Sequence, residues 1–248
     1  MASRTTAPDG TDLRERVGGT AWYHTLELGP GLTTPGMFDL RPYVDRYELP
    51  EDLTGARVLD VGTFDGFWAF ELERRGADVV ALDVPRVQDL DWPPRQRPAD
   101  DGPRGDSFRI AAEALNSSAR WLGTSVYDAT PTSLGGTFDL VFCGSILIHL
   151  RDPMLALERM ASVCRGKLVL AEEYSRRLEW LPRVELAEFR GASPHMTWWR
   201  PTTKAWRSML RVAGFEDVRH IGRFALKFRD QRRRSVPHTV FHARGPAS

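Results

Sequence analysis

The run Val58-Leu59-Asp60-Val61-Gly62-Thr63-Phe64-Asp65-Gly66-Phe67 decides the fold. Val58 to Val61 is a short β-rich stretch ending at a glycine, and Phe67 to Arg75 has helical content closed by Gly76. A second apolar run, Asp78-Val79-Val80-Ala81-Leu82-Asp83, follows at once. The order is strand, helix, strand.

Outward from this unit the pattern repeats. Residues 87–105 are rich in Pro, Asp and Arg and read as a surface loop, and Phe108 to Leu115 reads as a helix. Arg120 to Tyr127 and Phe138 to Gly144 read as strands, Pro153 to Cys164 as a helix, and Lys167 to Ala171 as a further strand. Thr202 opens a helix with Ala205, Trp206, Met209, Leu210 and Val212 on its apolar side, and strands near Val218 to Phe224 and Thr239 to Ala243 close the chain. Near-continuous apolar strands alternating with helices predict an α/β fold, a doubly wound, mostly parallel seven-stranded sheet with a terminal antiparallel hairpin. Upstream, residues 1–18 are polar and expected to be flexible. Residues 19–55, with Trp22-Tyr23-His24, several turn residues and a short helix near Pro42 to Tyr47, read as an aromatic lid on the domain formed by residues 56–248.

The 248 residues carry 34 Lys plus Arg against 33 Asp plus Glu, so no overall charge draws the chain to nucleic acid or to an anionic membrane. Two cysteines, Cys143 and Cys164, support neither a disulfide framework nor a thiolate zinc site, which fits a reducing, cytoplasmic compartment. The apolar run Val141 to Leu150 is half the length of a membrane helix, and the amino terminus lacks an apolar leader, so no membrane partner is expected. No histidine pair or carboxylate cluster has metal-ligand spacing.

The turn after Val61 carries the chemistry. A doubly wound sheet binds ligands at the carboxyl ends of its strands, where Gly62 and Gly66 let the backbone come close. Asp83, at the end of the second strand, is placed to accept two ribose hydroxyls, so a nucleoside is expected. Phe64 stands where a dinucleotide fingerprint has its middle glycine, and Asp65 adds negative charge to the turn. Both oppose a pyrophosphate. Asp60 instead suits an ammonium group, which favours S-adenosylmethionine over NAD.

With Asp83, Val126-Tyr127-Asp128 and Phe138-Asp139-Leu140-Val141-Phe142, this stretch resembles the class I S-adenosylmethionine-dependent methyltransferases. Trp22-Tyr23-His24, Thr34-Pro35-Gly36, the block Ile146 to Pro153, and Trp198-Trp199-Arg200-Pro201 through Phe215 resemble the branch related to the tRNA wobble-uridine (carboxymethoxyuridine) methyltransferases. The resemblance implies that Asp60 and Gly62, with Thr63, Phe64 and Gly66, meet the amino-acid end of the cofactor. Asp83 with Val84 would meet its ribose, and Tyr127 with Asp128 its adenine. Gly144 and Ser145 would lie near the methionine moiety and the methyl group, and S-adenosylhomocysteine would be the product.

That branch uses a carboxylated cofactor, held by a tyrosine just before the histidine equivalent to His149 and by an arginine in the last strand. Here the two positions read Ile148 and Thr239, and burying a carboxylate beside them without a cation is costly. A counterpart of that branch's amino-terminal extension, surface an RNA enzyme would need, is not expected either. Ordinary methyl transfer to oxygen or nitrogen of a small molecule, a secondary-metabolite intermediate as in antibiotic biosynthesis, is therefore expected, by a monomer or homodimer. The basic run Arg219, Arg223, Lys227, Arg229, Arg232, Arg233 and Arg234 keeps tRNA modification as the alternative, against a solvated hairpin face. A non-catalytic cofactor-binding protein is the third reading.

An oxygen or nitrogen acceptor calls for a base, and histidine titrates in the right range. His149 follows the fourth strand, as a base or as a support for its loop. His24 with Tyr23 points inward from the lid or packs there, and His195 lies in a loop that either covers the substrate or faces solvent. Trp22, Tyr23, Ile148, Glu172, Trp198 and Trp199 are the expected substrate contacts; Trp68, Trp180 and Trp206 lie in neighbouring segments.

Overall fold

The computed structural model of the chain describes residues 12–99, 102–181, 184–192, 196–231 and 234–247. In chain order these form α1 (Leu13–Gly18), β1 (Glu27–Gly29), β2 (Leu32–Thr33), a 3-10 turn at Arg41–Tyr47, β3 (Arg57–Val61), α2 (Phe67–Arg74), β4 (Asp78–Asp83) and α3 (Asp106–Leu115). There follow β5 (Arg120–Gly123), β6 (Phe138–Gly144), α4 (Pro153–Val163), β7 (Cys164–Glu173), β8 (Ala187–Phe189), β9 (Trp199–Pro201), α5 (Thr203–Val212), β10 (Glu216–Lys227) and β11 (Ser235–Arg244).

Seven strands make one sheet in the order β10-β11-β7-β6-β3-β4-β5. The five from β7 to β5 are parallel, while β11 runs antiparallel to both β7 and β10. Leu59 sits between Val80 and Val141, so the central strands are aliphatic on both faces, as a sheet covered twice requires. Phe67, Trp68, Phe108 and Ile110 of α2 and α3 join Phe142 and Val169 on one face; Leu157, Met160, Trp206 and Leu210 of α4 and α5 join Leu59 and Phe241 on the other. Strand order reverses between β3 and β6, the place where such sheets open a crevice.

The amino-terminal segment packs on the α2 and α3 face, contributing Trp22, Phe38 and Tyr47 to that core. It is tied to the last hairpin as well. His242 Nε2 lies 2.8 Å from the Tyr47 carbonyl, Arg229 reaches the Thr34 and Met37 carbonyls, and the Phe38 and Phe228 rings are 4.6 Å apart.

Several boundaries differ from expectation. Residues 13–18, expected to be flexible, form α1, because Asp12 caps it, Val17 is buried and Arg16 pairs with Glu113 of α3. The strand expected to reach Tyr127 stops at Gly123, and Ser125 then caps a 3-10 turn over Val126–Asp128 by accepting the Tyr127 amide. Val212 is 75% exposed, off the apolar side of α5, whose amino end is capped by the Thr202 hydroxyl. Cys143 and Cys164 are both free thiols in the core.

Candidate active site

At the carboxyl edge, the turn between β3 and α2 lies against the segment that follows β6. Gly62 has φ 77°, and a Cβ there would stand 2.5 Å from Ile146 Cδ1, so only glycine fits. Asp83 closes the turn: its Oδ2 accepts the Phe64 amide at 3.0 Å and its Oδ1 the Val84 amide at 2.8 Å. Arg104, from the loop after β4, donates to Asp83 Oδ2 at 3.0 Å and lays its guanidinium 5.0 Å from the centre of the Phe64 ring. Asp60 is 2% exposed, and its Oδ2 has no hydrogen-bond partner among the described residues. Burial pushes this carboxyl up to about 7. A buried acid left in that state fits a cationic ligand, which restores its charge.

Asp65 does more than add charge to the turn. Its fully buried carboxylate accepts the Tyr23 amide at 2.9 Å, the His24 amide at 2.7 Å and His24 Nδ1 at 2.5 Å, clasping the amino-terminal segment to the turn. A carboxylate on Nδ1 leaves Nε2 of a neutral His24 as the basic nitrogen, the orientation a general base needs. Tyr23 packs on Phe38 and Phe64, and burial together with Asp65, Glu173 and Glu172 holds its phenol protonated, so it can donate but not serve as a base.

Beyond β6, Ser145 adopts φ 57°, its amide donates to the Ala171 carbonyl, and its hydroxyl lies 2.7 Å from His238 Nε2. Glu172, fully buried at the end of β7, accepts the Ile146 and Leu147 amides at Oε1, at 3.0 and 2.7 Å, while Oε2 has no partner among the described residues. Burial pushes the Glu172 carboxyl up to about 8. Glu173 is ion-paired with Arg200 at 2.6 Å.

A small cavity of about 60 Å³ lies at the ends of β3, β4 and β5, lined among others by Gly62, Asp83, Asp91, Tyr127, Ile146 and His149. It is well below the roughly 300–1,000 Å³ of a ligand pocket. The segment over it is pinned through Asp91, whose carboxylate accepts the Tyr127 hydroxyl at 2.6 Å and the Arg151 amide at 2.7 Å, and whose carbonyl accepts Trp198 Nε1 at 2.7 Å. His149 Nδ1 lies 3.2 Å from the Met196 carbonyl. Larger surface hollows lie between α2 and the Arg41–Tyr47 turn and beside Arg165, away from Asp60 and Asp83.

A methyltransferase-domain family model matches residues 39–220. The chain belongs to that family. It is related to the tRNA U34 carboxymethyltransferases, being 31% identical over 174 residues to that of Ectopseudomonas mendocina (strain ymp), a match covering 68% of this chain and 47% of the relative. The chain thus spans about half the length of the curated relatives it matches. Among solved structures, the N-terminal domain of EvdMO1 with SAH bound superposes with TM-score 0.62 at 17% identity, covering 94% of this chain and 95% of that one. The Burkholderia thailandensis 1,6-didemethyltoxoflavin-N1-methyltransferase, with 1,6-didemethyltoxoflavin and S-adenosylhomocysteine bound, superposes with TM-score 0.51 at 17% identity, covering 78% and 72%. The architecture is the class I methyltransferase fold, as the sequence predicts.

On this methyltransferase-domain chain the expected site residues divide. Asp60, Gly62, Thr63, Phe64, Asp83, Val84, Ser145, Tyr23 and His24 gather around the β3 turn or the β6 end, and Glu172 lies beneath the latter. Gly144 leaves room where a Cβ would meet Phe142 at 3.0 Å, and Gly66 heads α2. Asp128 is exposed and does not line the cavity; its neighbour Tyr127 does. Trp22 is in the core, donating to the Val17 carbonyl. Trp198 and Trp199 brace loops through Asp91 and Arg151, Ile148 is buried among core residues, and Trp180 is 84% exposed. His195, Arg232 and Arg233 lie outside the described residues. Sequence reasoning missed Arg104, Asp91 and His238, and it missed the clasp that Asp65 makes with Tyr23 and His24. Among the described residues no group of three His, Cys, Asp or Glu side chains is arranged for a metal, and no helix is long and apolar enough to cross a membrane.

Proposed function

We propose that the protein transfers the methyl group of S-adenosylmethionine to an oxygen or nitrogen of a small-molecule acceptor, a secondary-metabolite intermediate of the kind made in antibiotic biosynthesis. The observation that carries this reading is the buried Asp60 carboxyl, whose Oδ2 has no hydrogen-bond partner among the described residues, beside Asp83 at the ends of adjacent strands. Asp60 would hold the cofactor's ammonium, and Asp83 its ribose hydroxyls once Arg104 has moved aside. The cofactor supplies an electrophilic sulfonium methyl group. The chain has to orient the acceptor, exclude water and take a proton; orientation of this kind is worth roughly 7–11 kcal/mol in favourable cases. Residues 19–55 act as the lid, and His24, oriented by Asp65, takes the proton, with Tyr23 as a neutral donor beside it.

Relatedness to the tRNA enzymes favours tRNA modification as a second reading. Two observations count against it. Ile148 and Thr239, the positions at which that branch holds its carboxylated cofactor, are buried, and Thr239 is engaged with His220 Nε2 at 3.0 Å. The basic run is partly spent inside the molecule, with Arg223 on Glu179, Arg229 on the amino-terminal segment and Arg234 over Phe228.

Calorimetric titration with S-adenosylmethionine, its carboxylated form, S-adenosylhomocysteine and NAD tests both readings. Binding of the first at least as tightly as the second is expected, with none of NAD. A strong preference for the carboxylated form, or RNA that copurifies and is methylated, would shift the assignment to tRNA. Absence of binding would remove the methyl-transfer reading.

A further inference from the structure

His238 is fully enclosed and stacks on the Phe224 ring, with centroids 5.5 Å apart and planes 17° apart. Its Nδ1 lies 3.1 Å from the Val236 carbonyl. A carbonyl only accepts, so Nδ1 carries the hydrogen. Burial pushes the imidazole down to about 4, which leaves Nε2 bare near neutral pH. The partner of a bare nitrogen must donate. The Ser145 hydroxyl, 2.7 Å away, therefore points its proton at His238, and the remaining lone pairs of Oγ face elsewhere.

Ser145 is a costly place for a side chain. Its φ of 57° is in the left-handed region, which a residue with a Cβ adopts only at a steric cost. Its backbone is held there by the bond to Ala171, and its side chain is held by a histidine 93 residues later in sequence. Ser145 stands at the end of β6, next to the strand-order reversal and half-exposed.

We propose that His238 is a positioning residue that keeps the Ser145 proton turned inward, so that the Ser145 oxygen meets the methyl acceptor as a hydrogen-bond acceptor. The consequence is a substrate class: molecules that present to Ser145 an O–H or N–H hydrogen other than the one His24 would take, an amine or a neighbouring hydroxyl, rather than a bare carbon nucleophile. This rests on the methyl-transfer reading above, with Ser145 beside the transferred methyl. Ser145 would align the donor group of the substrate, and His238, which does not touch the substrate, would set the polarity of that contact.

Sinefungin, in which a carbon bearing an amine replaces the methylated sulfonium, is a probe for this contact; S-adenosylhomocysteine lacks the amine. Calorimetry on wild type and on Ser145→Gly, His238→Phe and His238→Gln reads the ratio of the two affinities. Ser145→Gly relieves the left-handed φ and so keeps the fold. It should lower the preference for sinefungin about tenfold, the scale of one hydrogen bond to a charged group. His238→Phe should lower it about threefold or more, because a phenyl ring accepts no hydroxyl proton at that point. His238→Gln, whose amide oxygen can stand in for Nε2, should restore it. Nitrogen-15 spectra of histidine-labelled protein should show His238 Nε2 unprotonated, with a resonance that moves in Ser145→Gly. An unchanged ratio in Ser145→Gly or His238→Phe, or a protonated Nε2, overturns the proposal alone. If wild type binds neither molecule, the methyl-transfer reading falls and takes this one with it.

Discussion

The Arg104 guanidinium lies 3.0 Å from Asp83 Oδ2, on the carboxylate that a ribose would need, and the neighbouring cavity is only about 60 Å³. Cofactor and arginine would compete for one oxygen. Asp83→Ala should weaken S-adenosylhomocysteine binding at least tenfold, since hydrogen bonds to a charged group are each worth roughly 1.5–3 kcal/mol. Arg104→Ala should tighten it several-fold. Isothermal calorimetry on both variants checks the pair, and weaker binding in Arg104→Ala would mean that the arginine supports the site.

Asp65 holds the amino-terminal segment with three bonds, two of them to backbone amides. In Asp65→Ala these buried donors lose their acceptor, a change costing about 1–3 kcal/mol for each unsatisfied group. Hydrogen exchange should quicken over residues 20–40 while β3, β6 and β7 stay protected. His24→Ala should leave the amide bonds in place and abolish turnover more than it loosens the segment. Equal loosening in both variants would demote His24 from base to clasp.

Glu172 ties protein stability to pH. Its carboxyl, near 4.5 in an unfolded chain, is pushed up to about 8 in the fold, so the folded state binds more protons between these values. Stability is then greatest below the unfolded value and declines as pH rises through 8. Between pH 6.5 and 8 Glu172 should account for roughly 1–2 kcal/mol of loss, with a smaller share from Asp60, pushed up to about 7. Urea melts of wild type and Glu172→Gln at the two pH values measure it. A slope that survives the substitution would contradict the assignment.

His149 lines the cavity beside Gly62 and Asp83, and its ring nitrogen meets the Met196 carbonyl. A wall residue affects binding before chemistry. His149→Ala should weaken S-adenosylhomocysteine several-fold and lower Tm by a few degrees together. A variant with intact Tm and affinity that turns over about 10²-fold more slowly would restore it as a base.

The order of elements, the turn from Asp60 to Gly66 and the partner Asp83 were legible because each depends on neighbours within about one strand-helix-strand unit. What the sequence did not disclose depends on distant partners. Asp65 reads as a turn residue until His24, 41 positions upstream, is seen to lie on it. His238 sits in an alternating strand and looks structural until Ser145 arrives from 93 positions away. Arg104 and Asp91 are half-buried in a loop whose composition signals only exposure, and bonds to Asp83 and Tyr127 turn that loop into a cover.

The bonds from His242 to Tyr47 and from Arg229 to Thr34 each join residues 195 positions apart. Chain entropy makes such closures the slowest to form, after the local units have settled. On the ribosome, the strands bearing Asp60 and Asp83 emerge long before Ser235–Arg244 exists to receive residues 34–47. Residues 34–47 are therefore the last part of the amino-terminal segment to be fully tied down. A nascent chain halted before Ser235 would leave residues 34–47 without the hairpin bonds that His242 and Arg229 supply, open to a chaperone.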